Sequence, residues 1–381
     1  MRRMLPLVAG LLLPGALAAQ GDPGYRVGVV SESGDIVTWL KPGAGTLTQD
    51  RVIPVGIMPA DIDGPHNLAV SPDNRYYYIS IAHGTPFGTL WKMDATADTL
   101  VGRAPLEMFP TTIGLTPDGE LAFVANSDFH GDHPRMNVVS VVHTPTMTTI
   151  THLPACDMPH GVKSNHAGTL VYVSCMNSDE LLEIEVATLR IGRRVKTGTG
   201  HDMNAMAGMD HGAMNHAAPA PASQASAPPA PAADASCAPT FVSVSPDDKT
   251  LYAACNHSGT LQVWDAVSLT RTKEIQLGAG AYNVEPSADG KWVIVTNKKD
   301  KSFSLVDAQT LTEVARIPTT KKIVHGVAYS PDGRYAFISQ ESIGADPGAV
   351  DMLDLASRKV VATMPVPAQP TGIAIWRAAG H

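Results

Sequence analysis

PHNLAVSPDNRYYYIS, residues Pro65–Ser80, holds a short alternating apolar run, a Ser-Pro-Asp-Asn turn and a second run rich in aromatic and β-branched residues. Alternation places one face of each run on a core, and the turn residues reverse the chain. The stretch therefore predicts two antiparallel strands. The same grammar returns as PTTIGLTPDGELAFVA from Pro110, PHGVKSNHAGTLVYVS from Pro159 and PTFVSVSPDDKTLYAA from Pro239. It returns again as AYNVEPSADGKWVIVT from Ala281 and VHGVAYSPDGRYAFIS from Val324. A seventh copy is split, with PTGIAIWR from Pro370 ending the chain and YRVGVVSES beginning at Tyr25. Recurrence at a fixed period marks a repeat architecture, whose units bury apolar surface only against their neighbours.

Taking Pro72 as reference, the equivalent turn positions are Pro117, His166, Pro246, Ala288, Pro331 and Arg377. Most steps are about 45 residues, enough for four short strands per unit. Third strands are expected at Thr89–Met93, Thr260–Trp264 and Ser302–Val306, followed by turns at Asp94, Asp265, Asp307 and Asp354. Fourth strands are expected at Thr272–Leu277 and Val360–Met364, and no segment sustains helical periodicity. The fold class that follows is all-β, a seven-bladed β-propeller. Gly372–Trp376 would be the inner strand of a blade completed by Tyr25–Val55, so that the chain ends close the ring.

The start of the chain reads as an address. Arg2 and Arg3 precede the apolar run Leu5–Leu17 and a small-residue site, so residues 1–18 are expected to be a secretory signal peptide, with no membrane anchor. No Cys stands at the cleavage region, which argues against a lipoprotein. The formal charge of -8 argues against nucleic acid as a partner. A periplasmic or secreted location follows, with residues 19–196 and 237–381 forming a single propeller domain.

The repeats resemble the YVTN family of seven-bladed β-propellers, with Val295-Thr296-Asn297 and Phe123-Val124-Ala125-Asn126 close to the family motif. This resemblance implies the fold and leaves function open. The same architecture is similar to the haem d1 domain of cytochrome-type nitrite reductases, to lactonases and to the copper-bearing propeller of nitrous oxide reductase. Fold likeness alone selects none of them.

One step is long, and the excess is Thr197–Ser236, a Met/His-rich stretch running into an Ala/Pro/Ser tail. The tail is a solvated linker with too little apolar variety to pack. His201, Met203, Met206, Met209, His211, Met214 and His216 crowd the first half. Thioethers with imidazoles suit copper, Cu(I) above all. The run Met209–Met214 resembles segments of periplasmic copper-resistance proteins; a disordered insert of drifting composition is the plain alternative.

The residue after each leading proline, or its equivalent, is His66, Thr111, His160, Thr240, Tyr282, His325 and Thr371. Propeller topology puts these positions on the face that carries the insert, beside the central channel. At the ends of the second strands stand Ser31, Ile81, Asn126, Cys175, Cys255, Asn297 and Gln340, with His83 and His257 two residues beyond Ile81 and Cys255. His66, His160 and His325 are candidate ligands for a metal or haem, or acid–base groups. Taken singly, each is read as capping a strand end. His130 and His133 in the second blade are weaker candidates.

Cys156 and Cys237 precede inner strands whose partner strands end at Cys175 and Cys255, so the expected disulfides are Cys156–Cys175 and Cys237–Cys255. Cross-blade pairs, or thiolates feeding copper beside Met176, are the alternatives. There is no Gly-x-Ser-x-Gly elbow, His-Glu-x-x-His, Cys-x-x-Cys-His or phosphate loop. Glu32, Glu341, Asp128 and Lys298 lie on loops and read as solvated charges, although a lactonase-like hydrolase would draw on such residues. The leading expectation is a periplasmic copper-binding module, with a metal ion and a redox or metal-delivery protein as partners. The alternative is an oxidoreductase holding haem or copper at the channel mouth.

Overall fold

The computed structural model describes residues 22–56, 62–82, 88–127, 137–198, 236–342 and 344–377. Their strands, numbered β1 to β28 in chain order, form seven four-stranded antiparallel sheets. The inner strands of six blades are β4 (Pro65–Val70), β8 (Pro110–Leu115), β12 (Pro159–Ser164), β16 (Pro239–Val244), β20 (Ala281–Pro286) and β24 (Ile323–Tyr329). Their second strands are β5 (Tyr76–Ile81), β9 (Leu121–Asn126), β13 (Leu170–Cys175), β17 (Thr250–Cys255), β21 (Trp292–Asn297) and β25 (Tyr335–Glu341). Each inner strand touches those of both neighbouring blades, which closes the ring. The chain is a seven-bladed β-propeller.

Blade seven is the split one. Its inner strand is β28 (Pro370–Arg377), paired antiparallel to β1 (Tyr25–Ser31) in the register Tyr25↔Arg377, Val27↔Ile375 and Val29↔Ile373. β2 (Ile36–Pro42) and β3 (Leu47–Pro54) complete the sheet. At this seam the Arg51 guanidinium lies 5.1 Å from the ring centres of both Trp39 and Trp376. Trp376 also donates its indole N–H to the carbonyl of Asn74 in blade one.

The repeated turn explains why the sequence folds this way locally. Ser71 Oγ accepts from Tyr76 N at 2.9 Å, while Asp73 Oδ1 takes the hydroxyl at 2.6 Å and Arg75 N at 3.0 Å. Asn74 sits at φ 58°, and Gly119, Gly168, Asp248, Gly290 and Gly333 take the equivalent left-handed place. The third-to-fourth strand turns are held as expected, with Asp94 Oδ1 accepting from Thr96 N and Ala97 N. Between blades the faces are apolar; Tyr252, Leu261 and Val263 of blade four pack on Val284, Val293 and Val295 of blade five. Each such side chain contributes about 1.5–3 kcal/mol by leaving water.

Both expected disulfides are present, Cys156–Cys175 and Cys237–Cys255, with Cα separations of 6.0 and 4.5 Å. No cysteine is left as a thiolate for copper. No helix among the described residues is long and apolar enough to cross a membrane.

Candidate functional site

The seven positions after the leading proline are set apart by the backbone itself. In every blade the pairing of inner and second strands slips at this point, as between Pro65 and Asn67 or between Val324 and Val327. A bulge of this kind releases one residue from the alternation and re-aims its side chain. A left-handed residue comes just before most of these strands: Gly64, Phe109, Met158, Ala238, Gly280 and Gln369.

A hydroxyl belt then ties the seven together, each carbonyl accepting from the blade before it. In three blades the donor is the slot threonine. Thr371 Oγ1 reaches His66 O at 2.7 Å, Thr111 Oγ1 reaches His160 O at 3.2 Å, and Thr240 Oγ1 reaches Tyr282 O at 2.5 Å. In the other four the donor comes from the second strand. Ser80 bonds Thr111 O at 2.7 Å, Ser174 bonds Thr240 O at 2.7 Å, Thr296 bonds His325 O at 3.1 Å and Ser339 bonds Thr371 O at 2.6 Å. Those four blades carry His66, His160, Tyr282 and His325. Their side chains are thereby spared from the belt.

These four meet at the channel mouth. The His66 ring centre lies 6.4 Å from that of His160 and 5.8 Å from that of His325, all edge to face. The Tyr282 hydroxyl is 3.2 Å from Nε2 of both His160 and His325. His160 Nδ1 lies 3.0 Å from the carbonyl of Thr240, which can only accept, so this nitrogen carries the proton. In the singly protonated ring Nε2 is then the acceptor. The Tyr282 hydroxyl donates to it, and the tyrosine oxygen accepts from His325 Nε2–H. Phe109 and Phe241 pack against the imidazoles at 5.5 Å from His66 and 5.0 Å from His160.

Charged groups stand directly behind the rings. His66 Nδ1 is 3.0 Å from Glu32 Oε2, and His325 Nε2 is 3.7 Å from Glu341 Oε1. Lys298 Nζ reaches the same Glu341 oxygen at 3.1 Å and lies 4.3 Å from the centre of the Tyr282 ring. Burial by itself lowers the Lys298 ammonium, but the Glu341 carboxylate outweighs it and raises the group to about 12. Burial pushes the Tyr282 phenol up to about 12 as well, so it stays a neutral donor at physiological pH.

The structure thus brings His66, His160 and His325 together and adds Tyr282, Glu32, Glu341 and Lys298. Reading the three charged residues as solvated loop charges is corrected: Glu341 is 7% exposed, and all three contact the cluster. Glu32–His66 and Lys298–Glu341 join residues of different blades, whereas Glu341 and His325 face each other within blade six. Tyr282 was visible as the one aromatic slot residue.

Other candidates fall elsewhere. His257 Nδ1 lies 3.2 Å from the carbonyl of Ser236, at the end of the insert. His201, Met203, Met206, Met209, His211, Met214 and His216 lie outside the described residues, as do His83, Asp128, His130 and His133. Among the described residues no group of three or more His, Cys, Asp or Glu is disposed to hold a metal ion. Copper therefore gains no support from the described part of the chain.

Residues 240–328 match the family model of the cytochrome D1 heme domain. The matched stretch runs from Thr240 past His325, and so contains Tyr282, Lys298 and His325. A dihydro-heme d1 dehydrogenase from Pseudomonas aeruginosa is 34% identical over 74 residues, 19% of this chain and 15% of that protein. A solved structure of dihydro-heme d1 dehydrogenase superposes with a TM-score of 0.58 at 19% identity, over 95% of this chain and 77% of the other. A periplasmic gluconolactonase from Pseudomonas aeruginosa gives a TM-score of 0.68 at 18% identity, over 92% and 99%. What these structures share with the chain is the propeller.

Proposed function

We propose that this protein is an exported, periplasmic propeller that binds a haem-type tetrapyrrole over its channel mouth and takes part in its redox chemistry. The observation that carries this reading is the buried cluster of His66, His160, Tyr282 and His325, two of whose members lie in the stretch that matches a haem domain.

The donor set fits such a group. His66 Nδ1 donates to Glu32, which leaves Nε2 with its lone pair, the carboxylate–imidazole arrangement that orients metal-binding histidines. His66 is also the most accessible of the three imidazoles, at 8% against 1% for His160 and 2% for His325. When bound, the tetrapyrrole would supply a redox-active metal centre in a conjugated ring. The protein's own part is to hold it through His66 and to keep a proton chain, Thr240 to His160 to Tyr282 to His325, beside it. Lys299, Lys301, Lys321 and Lys322 stand on the mouth-side connections of blades five and six, and none forms an ion pair among the described residues. Carboxylates on the ligand suit that sector.

The test is titration of the ligand-free protein with haem, followed by absorption spectroscopy. A saturable Soret shift is expected, and His66→Ala should abolish the part of it that reports histidine ligation. A spectrum that never changes, or that is the same in His66→Ala, overturns the reading.

A hydrolase is the second reading, favoured by the Tyr282–His325 hydrogen bond with the Glu341 carboxylate 3.7 Å from the same His325 nitrogen, groups that have the elements of acid–base catalysis. Lactone hydrolysis by purified protein, lost in Tyr282→Phe, would support it. Copper carriage by His201–His216 rests on sequence alone, and elemental analysis of protein from the periplasm tests it.

A further inference from the structure

In five blades, among the described residues, the residue at or beside the end of the second strand ties down the segment that leads into an inner strand, and three of the five use a hydrogen bond for this. Ser31 Oγ donates to Pro367 O at 3.2 Å, Asn126 Oδ1 accepts from Glu107 N at 3.1 Å, and Gln340 Oε1 accepts from Lys321 N at 2.7 Å. In blades three and four the same position is Cys175 or Cys255, and the tie is covalent.

Both covalent ties converge on one imidazole. Pro159, next to His160, pairs with Cys175; Pro239, next to Thr240, pairs with Cys255. Thr240 provides the carbonyl that fixes the proton on His160 Nδ1, and Ser174 holds that carbonyl at 2.7 Å. One bridge therefore sets the ring and the other sets its acceptor. Entry to each strand runs through a left-handed non-glycine residue, Met158 at φ 60° and Ala238 at φ 48°, a backbone state that needs external restraint.

We propose that Cys156–Cys175 and Cys237–Cys255 are positioning residues that hold His160 in its Nδ1–H tautomer, and so aim its Nε2 at the Tyr282 hydroxyl. Cys237 and Cys255 are closed to solvent, at 1% and 0%, whereas Cys156 is only partly buried. A small dithiol therefore attacks the first bridge before the second, leaving two protein thiols while the dithiol becomes a disulfide.

The inference rests on the mouth cluster being the working site. Its test uses ligand-free protein, so failure of the haem reading would leave the result intact. Nitrogen-15 NMR of the His160 ring is compared in the wild type, in Cys156→Ala/Cys175→Ala and in Leu251→Ala. Leu251 is a buried core residue at the far end of β17, and its loss destabilises without touching the mouth. The wild type and Leu251→Ala should show one Nδ1–H tautomer, and the cysteine variant should lose it to a mixture. If the cysteine variant does not fold, wild-type protein treated with a dithiol until Cys156–Cys175 opens gives the same reading. A single unchanged tautomer after loss of the bridge, or an equal mixture in Leu251→Ala, overturns the proposal.

Discussion

At the scale of single residues, the mouth cluster shows how a neutral phenol can organise two imidazoles. Tyr282 donates to His160 and accepts from His325, a direction set by one carbonyl, that of Thr240. Removing the hydroxyl in Tyr282→Phe leaves two buried ring nitrogens without that partner, and should cost about 1–3 kcal/mol near neutral pH. The cost should depend on pH. Folding raises the Tyr282 pKa from 10.0 to about 12 and that of Lys298 from 10.5 to about 12. The folded state holds both protons more tightly than the unfolded one. Their contribution is therefore complete below about pH 10 and is lost as pH rises towards 12. Urea unfolding between pH 8 and pH 12 should show wild type and Tyr282→Phe converging at the alkaline end. A constant gap would mean that the phenol is not the titrating group. The slot histidines were legible in the sequence because they recur at one place in the repeat. Glu32, Glu341 and Lys298 were not, because nothing local in their loops distinguishes a buried partner from a solvated charge.

At the scale of elements, the repeat made the strands legible, since turn chemistry and alternation both reset at every copy. Boundaries moved by a residue or two: the fourth strand expected at Thr272–Leu277 runs Thr270–Gln276. The hydroxyl belt was present in the sequence but unreadable there. Its donor lies either at the slot or on the facing second strand, and only the bulge brings both within reach of one carbonyl. The belt predicts that Thr371→Val, which keeps shape but loses the 2.7 Å bond to His66 O, destabilises by about 1–3 kcal/mol, because that carbonyl is buried. The same change at Thr46, outside the belt on the β2–β3 turn, should cost under about 1 kcal/mol. Equal losses in denaturant titrations of the two variants would show that the belt carries no weight.

At the scale of the molecule, the long insert leaves and returns at one spot. Asp179 accepts from Thr197 N through its carbonyl at 2.8 Å and from Ala238 N through its carboxylate at 2.5 Å. Gln262 further fixes the departing end by donating to Thr197 O at 2.9 Å. Two ends held by one residue need no long connection between them. Replacing residues 199–235 by a short Gly/Ser bridge should therefore leave the ring intact. Closing a shorter loop costs less chain entropy, so stability should be unchanged or raised by about 1–2 kcal/mol. The same variant separates the two ligand readings. If His66, His160 and His325 form the haem site, the Soret shift on haem addition survives the deletion, because none of these residues belongs to the insert. If Met203, Met206, Met209 and Met214 bind Cu(I), copper uptake disappears with it. Loss of the haem response together with the insert, in a protein that still unfolds cooperatively, would place the binding site outside the channel mouth.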